Sequence, residues 1–127
     1  MTQLRFALAQ IDTCVGALDA NAAKVLDYSR KAAAGNAQVV VFPEMTLTGY
    51  PIEDLALRRT FRQAAWDKAN ELATQLNDDA SAICSWWSAP LGTDRKTSKP
   101  RNRLVVLQPR RGLGWTNDKH FLPNYGV

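Results

Sequence analysis

Leu4 to Ile11 reads Leu-Arg-Phe-Ala-Leu-Ala-Gln-Ile. Phe6 and Leu8, with the small Ala7 and Ala9 between them, predict a strand buried on both faces. Asp12 to Gly16 reads as a turn, and Asp19 or Asn21 can cap a helix that runs to about Ala34. Ala22, Val25, Leu26, Ser29, Ala32 and Ala33 fall on one face of that helix. Gly35-Asn36 supplies its stop, because both residues tolerate the left-handed conformation. Gln38 to Phe42 is a β-branched run closed by Pro43, which reads as a second buried strand. Strand, helix and strand in this order form a βαβ unit, with parallel strands and a right-handed crossover.

Glu44 to Asp54 reads as a loop containing Gly49 and Pro51. A helical pattern returns from about Leu55 to Leu76. Phe61, Ala65, Lys68, Ala69, Leu72 and Leu76 share its face, with Ala64 and Ala73 beside it, and Asn77-Asp78-Asp79 ends it. Ala80 to Leu91 should be a third strand, in which the adjacent Trp86 and Trp87 point to opposite faces. Gly92 to Pro100 is a polar turn and Leu104 to Gln108 a fourth strand. Leu113 to Thr116 begins a fifth, paired as a hairpin through Pro109 to Gly112. The order β-α-β-α-β-β belongs to a layered α/β protein. No internal repeat, low-complexity segment or interdomain linker interrupts it.

Composition narrows the class. The chain has 127 residues, enough for one small domain with a real core. Apolar residues at 46% and charged residues at 22% are ordinary for a soluble globular protein. No apolar run approaches the roughly 20 residues that span a bilayer, and Met1 to Arg5 lacks the features of a signal peptide. A cytoplasmic protein without membrane contact is therefore expected. Cys14 and Cys84 lie far apart and read as two free, mostly buried thiols. His120 is the single histidine, so the chain alone cannot build a multi-histidine metal site, and no metal is expected. Much of the net charge of +4 comes from Arg95, Lys96, Lys99, Arg101, Arg103, Arg110 and Arg111. That stretch lacks interleaved aromatics, so it reads as a solvated, mobile hairpin region and not as a nucleic-acid surface.

Functional groups in βαβ proteins cluster past the carboxyl ends of strands. Glu44 directly follows the second strand, and Lys119 follows the last, after Asn117 and Asp118. The motifs around them are more specific. Val-Val-Phe-Pro-Glu-Met-Thr-Leu-Thr-Gly-Tyr-Pro, residues 40 to 51, and Lys119-His120-Phe121-Leu122-Pro123 resemble two signatures of the nitrilase, or carbon-nitrogen hydrolase, superfamily. Ala9-Gln10, with Gly16 and Asn21 downstream, is similar to its opening. Two further runs, Gly49-Tyr50-Pro51-Ile52-Glu53-Asp54-Leu55-Ala56-Leu57-Arg58 and Leu122-Pro123-Asn124-Tyr125-Gly126-Val127, resemble the glutaminase domain of the glutamine-dependent NAD synthetases.

The resemblance implies an α-β-β-α sandwich, of which residues 1–127 would be the first half, and a Glu-Lys-Cys triad. Glu44 would be the acid-base catalyst, held in a poorly solvated pocket. Lys119 would stabilise the oxyanion and keep Glu44 ionised. Tyr125 would contact bound glutamine. The family's nucleophilic cysteine lies some tens of residues beyond the lysine, so this chain alone is expected to be inactive. No cofactor is expected in the chain itself. ATP and Mg would belong to a synthetase domain elsewhere in the parent protein, which would also take deamido-NAD, and the parent is expected to form homo-oligomers. Ile83 to Pro90 and Arg110 to Trp115 depart locally from the family pattern, the former carrying two tryptophans where an aliphatic strand is usual. A stand-alone amidase and a non-catalytic interaction module are the alternatives.

Overall fold

The computed structural model describes residues 3–78, 84–89, 99–108 and 111–120, with the backbone alone for 84–89. Five strands form one sheet in the order β1-β2-β3-β4-β5. They are β1 (Phe6–Leu8), β2 (Val39–Val41), β3 (Cys84–Ala89), β4 (Arg103–Gln108) and β5 (Gly112–Asp118). β1, β2 and β3 run parallel, while β4 is antiparallel to both β3 and β5. Two helices, α1 (Leu18–Ala34) and α2 (Arg59–Asp78), supply the second layer, and the short 3-10 segment Glu53–Leu57 precedes α2.

The alternation of side chains along the strands decides which face meets the helices. Ala7, Val40, Val105, Leu107 and Leu113 join Val25 of α1 and Ala65, Ala69 and Leu72 of α2 in one core. The small residues on α2 leave room for its close packing. The other face of the sheet is open at its margins, where Phe6 is 48%, Leu8 69% and Trp115 54% exposed. β1 is thus not buried on both faces as its composition suggests. Helices cover one side of it, and among the described residues nothing covers the other. The result is a sheet with helices on one face, which is half of an α-β-β-α sandwich.

The helix termini differ from the capping pattern. Ala17 occupies the N-cap of α1 without a side-chain hydrogen bond. Asp19 lies in the first turn and pairs with Lys68 at 2.6 Å. Asn21 is inside the helix and buried, because its carboxamide is engaged by two loops. At the other end Asn36, with φ +60°, takes the left-handed position, and Gly35 does not. α2 begins at Arg59, later than Leu55, because Arg58 is extended and separates it from the 3-10 segment. Ala64 is exposed. Arg62 is buried instead, and its Nη1 donates to the Ala56 carbonyl at 2.7 Å.

Cys14 is exposed, contrary to the expectation of a buried thiol, since its loop is held through backbone groups. Arg101 and Arg103 are not merely solvated charges: both guanidinium groups grip Asp118. The polar turn at Gly92 to Ser98, the hairpin tip at Pro109-Arg110 and the side chains of Cys84, Trp86 and Trp87 fall outside the described residues. Among the described residues no helix is long and apolar enough to cross a membrane.

Candidate functional site

β3 and β5 both run antiparallel to β4, so β5 points the same way as β2. The carboxyl ends of β2 and β5 and the start of β4 therefore share one edge of the sheet. Glu44 leaves the first, Lys119 leaves the second, and Asn102 enters the third. Their side chains meet there. Lys119 Nζ lies 2.8 Å from Glu44 Oε1, and Asn102 Nδ2 donates to the same oxygen at 2.6 Å. The backbone N–H of Lys119 donates to the Asn102 carbonyl at 2.8 Å. Beside these groups Arg103 forms a two-pronged contact with Asp118, Nε to Oδ1 at 2.6 Å and Nη2 to Oδ2 at 3.2 Å, and Arg101 joins on Oδ2. This clamp ties the residues flanking Asn102 to the residue before Lys119.

The lysine hydrogen bond holds the Glu44 carboxyl below its ordinary pKa. Partial burial works against this, while Asn102 and the lysine's charge add to it. Among the described residues both side chains are half-exposed, Glu44 at 48% and Lys119 at 41%. The pair sits at the margin of the sheet, where the cleft opens outward. That cleft encloses about 360 Å³ between Phe42, Glu44, Asn102, Leu104, Asn117 and Lys119. An ionised carboxylate beside a cation on an open cleft can exchange protons and stabilise a developing negative charge.

The loop that carries Glu44 is unusually well buried for a connection. Thr46, Leu47 and Thr48 have no exposed surface. Met45 has φ +60°, and its carbonyl accepts from the N–H groups of Thr48 and Gly49 at 3.1 and 2.8 Å. Thr46 Oγ1 donates to the Pro43 carbonyl at 2.5 Å. Asn21 Nδ2 reaches the Leu47 carbonyl at 3.1 Å, and the same side chain spans the N–H and carbonyl of Cys14. Gly49, with φ +78°, lies against Val15 so closely that a Cβ would come within 2.6 Å of its backbone. Glu44 thus stands on a rigid platform built from α1 and two loops.

Glu44 and Lys119 are brought together as their positions at strand ends suggest. Tyr125 lies outside the described residues. Asn102 and the Asp118 clamp were not legible beforehand, because a polar residue between two arginines carries no pattern of its own. Asn21 is visible in the sequence only as a cap or as part of a motif, neither of which indicates its bridging.

The model of the carbon-nitrogen hydrolase family matches residues 5–126. The chain belongs to the carbon-nitrogen hydrolase family. It is 41% identical over 127 residues to a glutamine-dependent NAD(+) synthetase of Thermotoga maritima, covering all of this chain and 21% of that protein. It is 31% identical over 129 residues to the synthetase of Acinetobacter baylyi, covering all of this chain and 22% of that one. This carbon-nitrogen hydrolase chain therefore spans about a fifth of the length of the curated relatives it matches. Its fold superposes on the crystal structure of a glutamine-dependent NAD(+) synthetase from Cytophaga hutchinsonii with a TM-score of 0.83. That match has 24% identity and covers 99% of this chain and 20% of that one.

Proposed function

We propose that this carbon-nitrogen hydrolase chain forms the front part of the glutamine-hydrolysing domain of a glutamine-dependent NAD synthetase. The observation that carries the reading is the 2.8 Å contact between Lys119 and Glu44 at a shared strand edge. A cysteine thiol would give its proton to Glu44, attack the carboxamide carbon of glutamine and form a thioester. Lys119 would face the developing oxyanion. Glu44 would then protonate the departing ammonia and activate the water that hydrolyses the thioester. Tyr125 would contact the glutamine. Ammonia would pass to a synthetase domain, which would hold ATP and Mg and take deamido-NAD. A cytoplasmic homo-oligomer is the expected setting.

Neither cysteine of the chain suits the nucleophile's role. Cys84 pairs in register with Val39, at the start of β2, whereas Glu44 lies beyond the end of that strand. Cys84 thus stands at the opposite end of β2 from Glu44, and a fully extended chain over the five steps would set the limit of their separation at about 16 Å. The thiol of Cys14 is directed to its neighbour's carbonyl, Val15 O, at 3.9 Å. The nucleophile would come from further along the parent chain, and residues 1–127 alone would not turn glutamine over.

Ammonia release from L-glutamine by the 127-residue chain, with Cys84→Ala as control, tests this. No cysteine-dependent turnover is expected, and turnover abolished by Cys84→Ala would overturn the assignment of the nucleophile. Reading the gene past codon 127 tests the parent's identity. A synthetase domain downstream supports the proposal, and a stop soon after a strand-end cysteine would make the protein a stand-alone amidase.

A further inference from the structure

We infer that Asn102 is a positioning residue that selects which oxygen of Glu44 exchanges protons. The inference deepens the proposed function and rests on it for the identity of the reaction. It stands on geometry that is independent of the substrate.

Both donors converge on one atom. Lys119 Nζ at 2.8 Å and Asn102 Nδ2 at 2.6 Å both reach Oε1 of Glu44. Among the described residues Oε2 takes no hydrogen bond. A carboxylate oxygen that already accepts two hydrogen bonds has little capacity left for an incoming proton. The proton therefore goes to Oε2, and Oε1 serves as the anchor.

Lys119 could not enforce this by itself. Its ammonium sits on a flexible four-carbon stem, and the side chain is 41% exposed. Asn102 has a short side chain, and it enters a strand whose first residue is gripped by Asp118. Its carboxamide cannot titrate in the working range, so it fixes the carboxylate plane without competing for the proton. The carbonyl of the same residue accepts the N–H of Lys119 at 2.8 Å. One residue thus sets the position of both charged partners, through its side chain for the acid and through its main chain for the lysine. Asn117 lines the same cleft and provides a matched control.

The test is a carbon-detected NMR titration of the Glu44 side-chain carboxyl in the chain, with Asn102→Ala, Asn102→Asp and Asn117→Ala compared. Asn102→Ala should move the Glu44 midpoint upward while the amide spectrum stays that of the folded protein, and Asn117→Ala should leave the midpoint in place. An unchanged midpoint in folded Asn102→Ala overturns the inference, as does an equal shift in Asn117→Ala. Should the alanine variant not fold, the nearly isosteric Asn102→Asp decides. It removes the donor and adds a like charge, so an unchanged midpoint there is equally fatal. In the whole gene product, Asn102→Ala should lower kcat for glutamine by about 10- to 100-fold with KM little changed. A titration shift in a gene product that never hydrolyses glutamine would remove the proposed function and leave the positioning contact intact.

Discussion

Replacing Asn21 with leucine should destabilise the chain by about 2–3 kcal/mol at neutral pH. Asn21 is 1% exposed and its carboxamide is almost fully used. The oxygen accepts from Cys14 N–H at 3.0 Å, and the nitrogen donates to the carbonyls of Cys14 at 2.8 Å and Leu47 at 3.1 Å. Each neutral hydrogen bond contributes roughly 1 kcal/mol net, and a buried group left without a partner costs more than the mean bond is worth. The Leu47 contact is buried, whereas the Cys14 groups are part-buried and recover some hydration, which keeps the total near the sum of three ordinary bonds. Leucine retains the volume, so a cavity adds little. Urea unfolding followed by far-UV circular dichroism reads the change as a lower midpoint at constant slope. Because Leu47 belongs to the loop that carries Glu44, the variant should also perturb the Glu44 and Lys119 amide signals more than those of β4. A loss below about 0.5 kcal/mol, within the range of ordinary surface substitutions, would refute the argument that this side chain holds the two loops together.

Gly49→Ala should be at least as damaging, about 2 kcal/mol or more, since φ is +78° and the new Cβ would meet the Val15 backbone at 2.6 Å. The same urea titration checks it, and an alanine variant of wild-type stability would show that the loop yields. Asp118→Asn should cost about 1–2 kcal/mol at pH 7, because it weakens the charged contacts to Arg103 and Arg101. Arg103 first, then Arg101, hold the Asp118 carboxyl below its usual 3.8, against an opposing effect of burial. Its contribution is therefore complete above that unfolded value and is lost as pH falls through the lower folded value. The gap between wild type and Asp118→Asn should close in acid, and a gap that persists below that window would contradict the role of ionised Asp118.

The β-branched run Val39-Val40-Val41, closed by Pro43, and the helical periodicity of Val25, Ala65, Ala69 and Leu72 were sufficient to place β2 and the helices, because buried strands and one-sided helices leave different regular traces. Phe6 and Leu8 were misread for the same reason. Their composition marks apolar positions, yet it does not say whether a layer lies over them. Glu44 and Lys119 stood out through the motifs around them more than through their places after strands, and the register of the sheet from β2 through β3 and β4 to β5 explains why they meet. Asn102 was not legible. Its importance comes from the antiparallel return of β4, which delivers it to an acid 58 residues away in sequence. Asn21 likewise reads as a cap in the sequence, but it lies inside α1 and is claimed by loops that only the folded chain brings together.

Under the proposed function, Glu44 serves glutamine hydrolysis at this strand edge. The most direct measurement compares NAD formation from deamido-NAD by the whole gene product and its Glu44→Gln variant, with glutamine or with free ammonium as nitrogen source. The pair is half-exposed, so the substitution should cost only about 1 kcal/mol of stability or less. Glu44→Gln should abolish glutamine-driven synthesis and preserve ammonium-driven synthesis. Glutamine-driven synthesis at the wild-type rate in Glu44→Gln would contradict it.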